Sequence, residues 1–261
     1  LDKEKPLKIN NLMLSSRFFL GSSGYSSPSE LTLAIKKSGA SLITMGVKRL
    51  GVHSLNNSEG WLKEIRACGV PILPNTAGCK NARDAITVAE IARELFNTNL
   101  IKLEVVGDDF SLQPNPFELV EAAKVLAKND FSVLPFCTAD LVVGEALIDA
   151  GCDALMPWGS PIGSGQGLLN IESLKRFREK FSDIVLVIDA GIGKPSDACI
   201  AMELGYDAVL LNSAVSQAKN PVDMAIAFSQ AISAGRSGFR SGLITPQSLA
   251  TPTTDISNNI F

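Results

Sequence analysis

The stretch NARDAITVAEIARELFNTNLIKLEVVGDD, residues 81–109, decides the fold in a single α/β unit. Its first part, NARDAITVAEIARELF (81–96), sets Ala85, Val88, Ala89, Ala92 and Leu95 at helical spacing, an amphipathic stripe suited to packing on a barrel. Its second part, LIKLEVV (100–106), reads as a buried β-strand, yet Lys102 and Glu104 stand inside the apolar run. Alternate side chains of a strand point to opposite faces, so the two charges share one face while Ile101, Leu103 and Val105 share the other. One face must meet the surrounding helices, and the apolar set suits that role. Lys102 and Glu104 then project into an interior.

The same alternation of strand and helix runs through the chain. Strands are predicted at FFL (18–20), SLITMGV (41–47), PILPN (71–75), LIKLEVV (100–106), FSVLPF (131–136), ALMP (154–157), IVLVID (184–189) and AVLLN (208–212). Their starts are roughly 20–30 residues apart, room for one crossover helix each. Helices are predicted at 27–39, 81–96, 115–129, 139–151, 171–181, 194–205 and 221–235, several of them ending in glycine. Eight strand–helix units imply a parallel sheet closed into a (β/α)8 TIM barrel. LKINNLMLSS (7–16) is expected to form a short hairpin across the barrel bottom. Residues 1–242 read as one barrel domain that includes this hairpin. Residues 243–261 carry no sustained apolar period and read as a flexible tail.

A length of 261 residues suits one such barrel, and 46% hydrophobic with 20% charged residues is the balance of a soluble globular protein. The net charge of −3 gives no electrostatic case for nucleic acid or an anionic membrane. No apolar run approaches the roughly 18 residues of a membrane span. The opening LDKEKPLKIN lacks the character of a secretory signal or a transit peptide. The expected location is cytoplasmic, or the plastid stroma in a photosynthetic eukaryote.

Cys68, Cys79, Cys137, Cys152 and Cys199 are odd in number and without CxxC spacing, so neither a disulfide framework nor a zinc knuckle is indicated. They read as structural, free cysteine being commonly buried, and Cys137 stands at a strand end. His53, the one histidine, lies in the turn-like GVHSLNN (51–57) without evident partners for catalysis. No metal centre and no cofactor are expected.

Barrels of this class build their active sites at the C-terminal ends of the strands. Three of the last four loops there are rich in small residues: PWGSPIGSGQG (157–167), AGIGKPSD (190–197) and NSAVSQAKN (212–220), the last also compatible with a short extra helix. Each alone is plainly read as a tight turn. Side by side they suit a phosphate, because small side chains let backbone N–H groups approach it. Asp189 ends the seventh strand and faces the mouth, or else caps the loop that follows. Burial of Lys102 is expected to lower its pKa and supply the neutral amine that attacks a carbonyl, with Glu104 moving protons. A structural ion pair is the plainer alternative. The residues alone therefore point to a Schiff base with a sugar-phosphate ketone or aldehyde. They leave aldolases, pentose-phosphate-condensing synthases and a non-catalytic sugar-phosphate sensor open.

LPNTAGC (73–79), IKLEVVGD (101–108), PIGSGQGLLN (161–170), DAGIG (189–193) and MELGYDAVLLNSAV (202–215) together resemble, in order and spacing, the thiazole synthase family of bacteria and plastids. The resemblance runs from about Phe18 to Gly242. It implies condensation of 1-deoxy-D-xylulose 5-phosphate, dehydroglycine and sulfur into the thiazole phosphate of thiamine. The sulfur would arrive as the C-terminal thiocarboxylate of a small ubiquitin-like sulfur carrier protein, which makes a relay through a cysteine, Cys137 at its strand end above all, unnecessary. The resemblance assigns imine formation to Lys102, acid/base roles to Glu104 and Asp189, and substrate contacts to Gly163, Ala190, Gly191, Asn212 and Ser213. It also implies a homo-oligomer, a tetramer. Two departures are mild: Ser213 stands where the family usually has threonine, and Ile171 where proline is common. A docked carrier makes surface around the mouth a partner site, and Trp158 is the tryptophan in a loop on that side.

Overall fold

Six of the helices among the described residues open on a side-chain cap. In the computed structural model, which describes residues 6–47 and 55–251, α1 (Pro28–Ser38) starts where the Ser27 hydroxyl accepts the Glu30 N–H, and it stops at Gly39, whose φ of 68° no helix continues. Asn81 caps α3 (Ala82–Phe96), Asn115 caps α4 (Pro116–Lys128), Asp140 caps α5 (Leu141–Asp149) and Asn170 caps α6 (Ile171–Lys180) in the same way. Asn220 caps α9 (Pro221–Ser241). The remaining helices are α2 (Leu55–Ala67), α7 (Pro195–Glu203) and the short α8 (Ser213–Ser216).

Between them lie β3 (Phe18–Gly21), β4 (Leu42–Gly46), β5 (Ile72–Asn75), β6 (Leu100–Leu103), β7 (Ser132–Cys137), β8 (Ala154–Pro157), β9 (Val185–Asp189) and β10 (Ala208–Leu211). These strands pair in parallel in chain order, and β10 returns to β3, so the sheet closes into the expected barrel. β1 (Leu7–Ile9) and β2 (Leu12–Leu14) form the expected antiparallel hairpin. Its Ile9 and Leu14 are buried in one cluster with Phe19, Leu42, Leu73 and Val187, the inward residues of the lower strands. The hairpin is thus a stopper in the N-terminal end of the barrel.

Strand periodicity divides the core. Odd and even positions separate into this inner cluster and a larger one between sheet and helices, where Ile101, Leu103 and Val105 meet Ala85, Val88, Ala89 and Ala92 of α3. Towards the C-terminal ends the inward positions turn polar: Thr44, Asn75, Lys102 and Asp189 are all buried. Register sets Lys102 level with Asn75 on one side and Leu134 on the other.

Four sequence expectations are corrected. Leu95 does not join the α3 stripe; it is exposed, and Phe96 packs on the core instead, because the last turn has rotated past the sheet. The strand expected over 100–106 ends at Leu103, and Val106 bridges to Pro114. The turn-like GVHSLNN gives way to α2 from Leu55, a helix whose polar start and internal Gly60 mask its period; His53 lies outside the described residues. The final helix does not stop at Gly235 but runs to Ser241, since Gly235 serves close packing: a Cβ there would strike the carbonyl oxygen of Cys199 on α7. Residues 243–251 are exposed and form neither helix nor strand. No helix among the described residues is long and apolar enough to cross a membrane.

Candidate active site

At the C-terminal ends of the strands the barrel opens into a cavity of about 570 Å³. Lys102, Glu104 and Asp189 line it together with Gly163, Ala190, Gly191, Asn212 and Ser213, so all eight residues singled out in the sequence meet in one space.

Lys102 is the centre of the charge arrangement. Its Nζ lies 2.6 Å from Asp189 Oδ2 and 3.0 Å from Glu104 Oε1, and all three side chains are nearly inaccessible. The ammonium also sits 5.5 Å from the centre of the Phe136 ring. The expected direction of the lysine's pKa is reversed. Burial pulls it down, but the charges of Asp189 and Glu104 and their hydrogen bonds outweigh burial, and the net shift is up. Asp189 is also pushed up, first by burial and then by the Glu104 charge, against the opposing pull of Lys102. Lys102 therefore rests as an ammonium held between two buried acids.

The loop after β8 and the loop after β9 interlock to form one wall. Gly167 N–H donates to Gly191 O at 2.8 Å and Gly159 N–H to Ala190 O at 3.3 Å. Gly191 sits at φ 78°, and a Cβ there would collide with Ser160, so glycine is needed for both the turn and the approach. Ala190 adopts φ 70°, a left-handed backbone that is costly for a residue with a Cβ, directly after Asp189. Asp197 Oδ2 holds the loop from outside, accepting the N–H groups of Gly193 and Lys194 at 3.1 Å each.

The third loop closes the far side. Gly163 faces Ser213, with 3.8 Å between a Cβ placed on the glycine and Ser213 Oγ. The Asn212 amide, oriented to satisfy its neighbours, donates to Ser23 O at 2.9 Å and Gly21 O at 3.3 Å and accepts the Ser23 hydroxyl at 2.6 Å. Gly21 has no room for a side chain against Asn212. These small residues from three successive loops line the cavity opposite Lys102.

Sequence reading missed Thr44, Asn75 and Ser23 as lining residues. Asn75 Nδ2 donates to Thr44 Oγ1 at 3.0 Å, and Asn75 Oδ1 accepts the Ala77 N–H at 3.2 Å. The available signal was position: Asn75 is the last residue of β5, while Thr44 lies mid-strand on β4 and gave no such signal. Cys137 is buried on the helix side of the sheet, in the outer cluster, and does not line the cavity. Trp158 stacks edge-on against Phe136 and lines a second pocket beside the first. Among the described residues no cluster of His, Cys, Asp or Glu gathers as a metal site.

The sequence matches the family described as Thiazole biosynthesis protein ThiG over residues 8–255. It is 47% identical over 255 residues to a thiazole synthase of Rhodopseudomonas palustris (strain HaA2), covering 98% of both chains. It is 46% identical over 253 residues to a thiazole synthase of Coxiella burnetii (strain Dugway 5J108-111), covering 97% of both. Among solved structures, that of the Amycolatopsis orientalis BexX/CysO complex superposes with a TM-score of 0.85 at 31% identity, covering 95% of this chain and 100% of that one. Since these matches span the barrel and every loop that builds its mouth, the chain belongs to the ThiG thiazole synthase family.

Proposed function

We propose that this chain condenses 1-deoxy-D-xylulose 5-phosphate, dehydroglycine and carrier-borne sulfur into thiazole phosphate through an imine on Lys102. Its family gives the coarser statement, an enzyme making the thiazole of thiamine. The observation that carries the finer one is the Lys102 ammonium between two buried acids, 2.6 Å from Asp189 and 3.0 Å from Glu104, on the floor of the cavity.

Lys102 passes a proton to Asp189, attacks the C2 ketone and forms the imine with loss of water. Glu104 or Asp189 then removes the C3 proton, and tautomerisation moves the carbonyl to C3. The thiocarboxylate sulfur of a carrier protein adds there, and the C3 oxygen takes over the carrier's acyl group and leaves with it as the carrier carboxylate. Dehydroglycine closes the ring, its nitrogen displacing the Lys102 amine at C2 while the sulfur bonds its imine carbon. Gly163, Ala190, Gly191, Asn212 and Ser213 hold the phosphate end, turning remote binding energy into orientation at the reacting carbons. A protein partner is supported by the relative whose structure is a complex with a second protein, CysO. The family likeness further suggests a homotetramer.

Reconstitution with carrier thiocarboxylate, dehydroglycine and the ketose phosphate tests this. Thiazole phosphate by mass, and borohydride capture of the ketose on Lys102, are the expected results. Capture undiminished in Lys102→Ala would sink the imine assignment.

A further inference from the structure

Glu104 raises a question of support. It follows the last residue of β6, so the strand ladder no longer fixes its backbone. Its carboxylate nevertheless reaches Lys102 Nζ at 3.0 Å inside the barrel. What holds it is the side chain of Thr76, just beyond the end of β5. Thr76 Oγ1 accepts the Glu104 N–H at 2.8 Å and donates to the Glu104 carbonyl at 2.8 Å. One hydroxyl thus replaces two main-chain rungs, in a position with no exposure to solvent.

The surroundings make that hydroxyl hard to replace. The Thr76 N–H donates to Lys102 O at 3.2 Å, so one residue ties the main chain of both charged positions. Cys79 N–H returns to Thr76 O at 3.1 Å, and Val106 N–H bonds to Cys79 O at 2.7 Å, clamping the chain on its way out of the site. These bonds are main-chain and survive a change of side chain. The contact with Glu104 does not. Without it a buried N–H and a buried C=O lose their partner, and rotating the peptide to recover one turns the carboxylate away from Nζ.

We propose that Thr76 is a positioning residue of the reaction: its hydroxyl sets the peptide of Glu104 so that the carboxylate stands at the imine nitrogen. The proposal rests on Glu104 acting as an acid/base group in the imine chemistry. Thr76 itself does not line the cavity.

The test compares the full-length parent with Thr76→Val, Thr76→Ser, Glu104→Gln and the double variant Thr76→Val/Glu104→Gln. Valine keeps the volume and loses the hydroxyl; serine keeps the hydroxyl. The expected result is a fall in kcat of about 10- to 100-fold in Thr76→Val, part of the range for losing an acid/base group, with KM for the ketose phosphate within about twofold. Thr76→Ser stays within about threefold of the parent, and Thr76→Val causes no further loss in the Glu104→Gln background. Borohydride capture on Lys102 persists in Thr76→Val, but its rise with pH moves to lower pH, because Asp189 alone then holds the ammonium. A packing role would lower thermal stability and leave that profile in place. Parental kcat and pH profile in Thr76→Val overturn the proposal, as does equal loss in serine and valine, or losses that multiply in the double variant. If Thr76→Val does not fold, Thr76→Ala is measured with the same expectations. A parent that captures no ketose overturns the imine reaction itself, a failure distinct from one confined to Thr76.

Discussion

Lys102 Nζ and Asp189 Oδ2 meet at 2.6 Å across the hollow of the barrel, one carried by β6 and the other by β9. Both groups have folded pKa values above their ordinary ones. For the lysine, the stability this represents is present below the unfolded pKa of about 10.4 and is lost as pH rises through the folded value. For the aspartate, it is present below about 3.9 and is lost as pH rises through its own raised value. Lys102→Met removes the cation and leaves two acids facing each other. Its stability deficit against the parent should therefore grow between about pH 5 and about pH 8, to about 3–5 kcal/mol. Adding Asp189→Asn should recover most of it. Urea midpoints at the two pH values check this, and a deficit independent of pH would count against it.

Gly191 stands where two loops interlock, at φ 78° and against Ser160. Gly191→Ala must strain the turn or push the loop after β8 outward, at a cost of about 1–3 kcal/mol. The displaced wall belongs to the proposed phosphate seat, so KM for the ketose phosphate should rise about tenfold or more. Steady-state kinetics and a melting curve separate the site effect from loss of fold.

Gly235 has the opposite profile. Far from the cavity, it lets α9 press against the Cys199 carbonyl of α7. Gly235→Ala should destabilise by about 1–3 kcal/mol and lower the melting temperature by a few degrees. KM should not move. A raised melting temperature, the usual outcome of Gly→Ala within a helix, would refute the packing argument.

The cysteines divide by access. Cys68 and Cys199 are half-buried, while Cys79, Cys137 and Cys152 are buried. Burial pushes the Cys137 thiol up, and Cys152 is pushed up to about 12. Alkylation of the native protein should reach Cys68 and Cys199 at least about tenfold faster than Cys137 and Cys152. Cys137→Ala should still incorporate carrier sulfur. Loss of product with the fold intact would restore Cys137 as a relay.

Much of this was legible in the chain because period-2 alternation and strand-end position carry across an α/β barrel without tertiary detail. Lys102 facing inward, Asp189 at the mouth and the hairpin at the base all follow from local pattern. The rest depends on partners distant in sequence. The direction of the Lys102 pKa turns on two acids at close range, which spacing cannot measure. Glu104 looked like a strand residue because Val105 and Val106 extend the apolar run, whereas its backbone is held by Thr76, 28 residues earlier. Gly235 looked like a helix stop, and only the approach of α7 reveals it as a contact.

The stopper formed by β1 and β2 closes the barrel's base and leaves its door at the C-terminal end. Ile9 and Leu14 fill that base, and the cavity above Lys102 opens at the opposite end. Traffic through one door is queued: a protein seated on the mouth traps whatever small molecule is beneath it. In the proposed reaction the sugar phosphate would therefore enter before the carrier docks, and the product would leave after the carrier has lifted away.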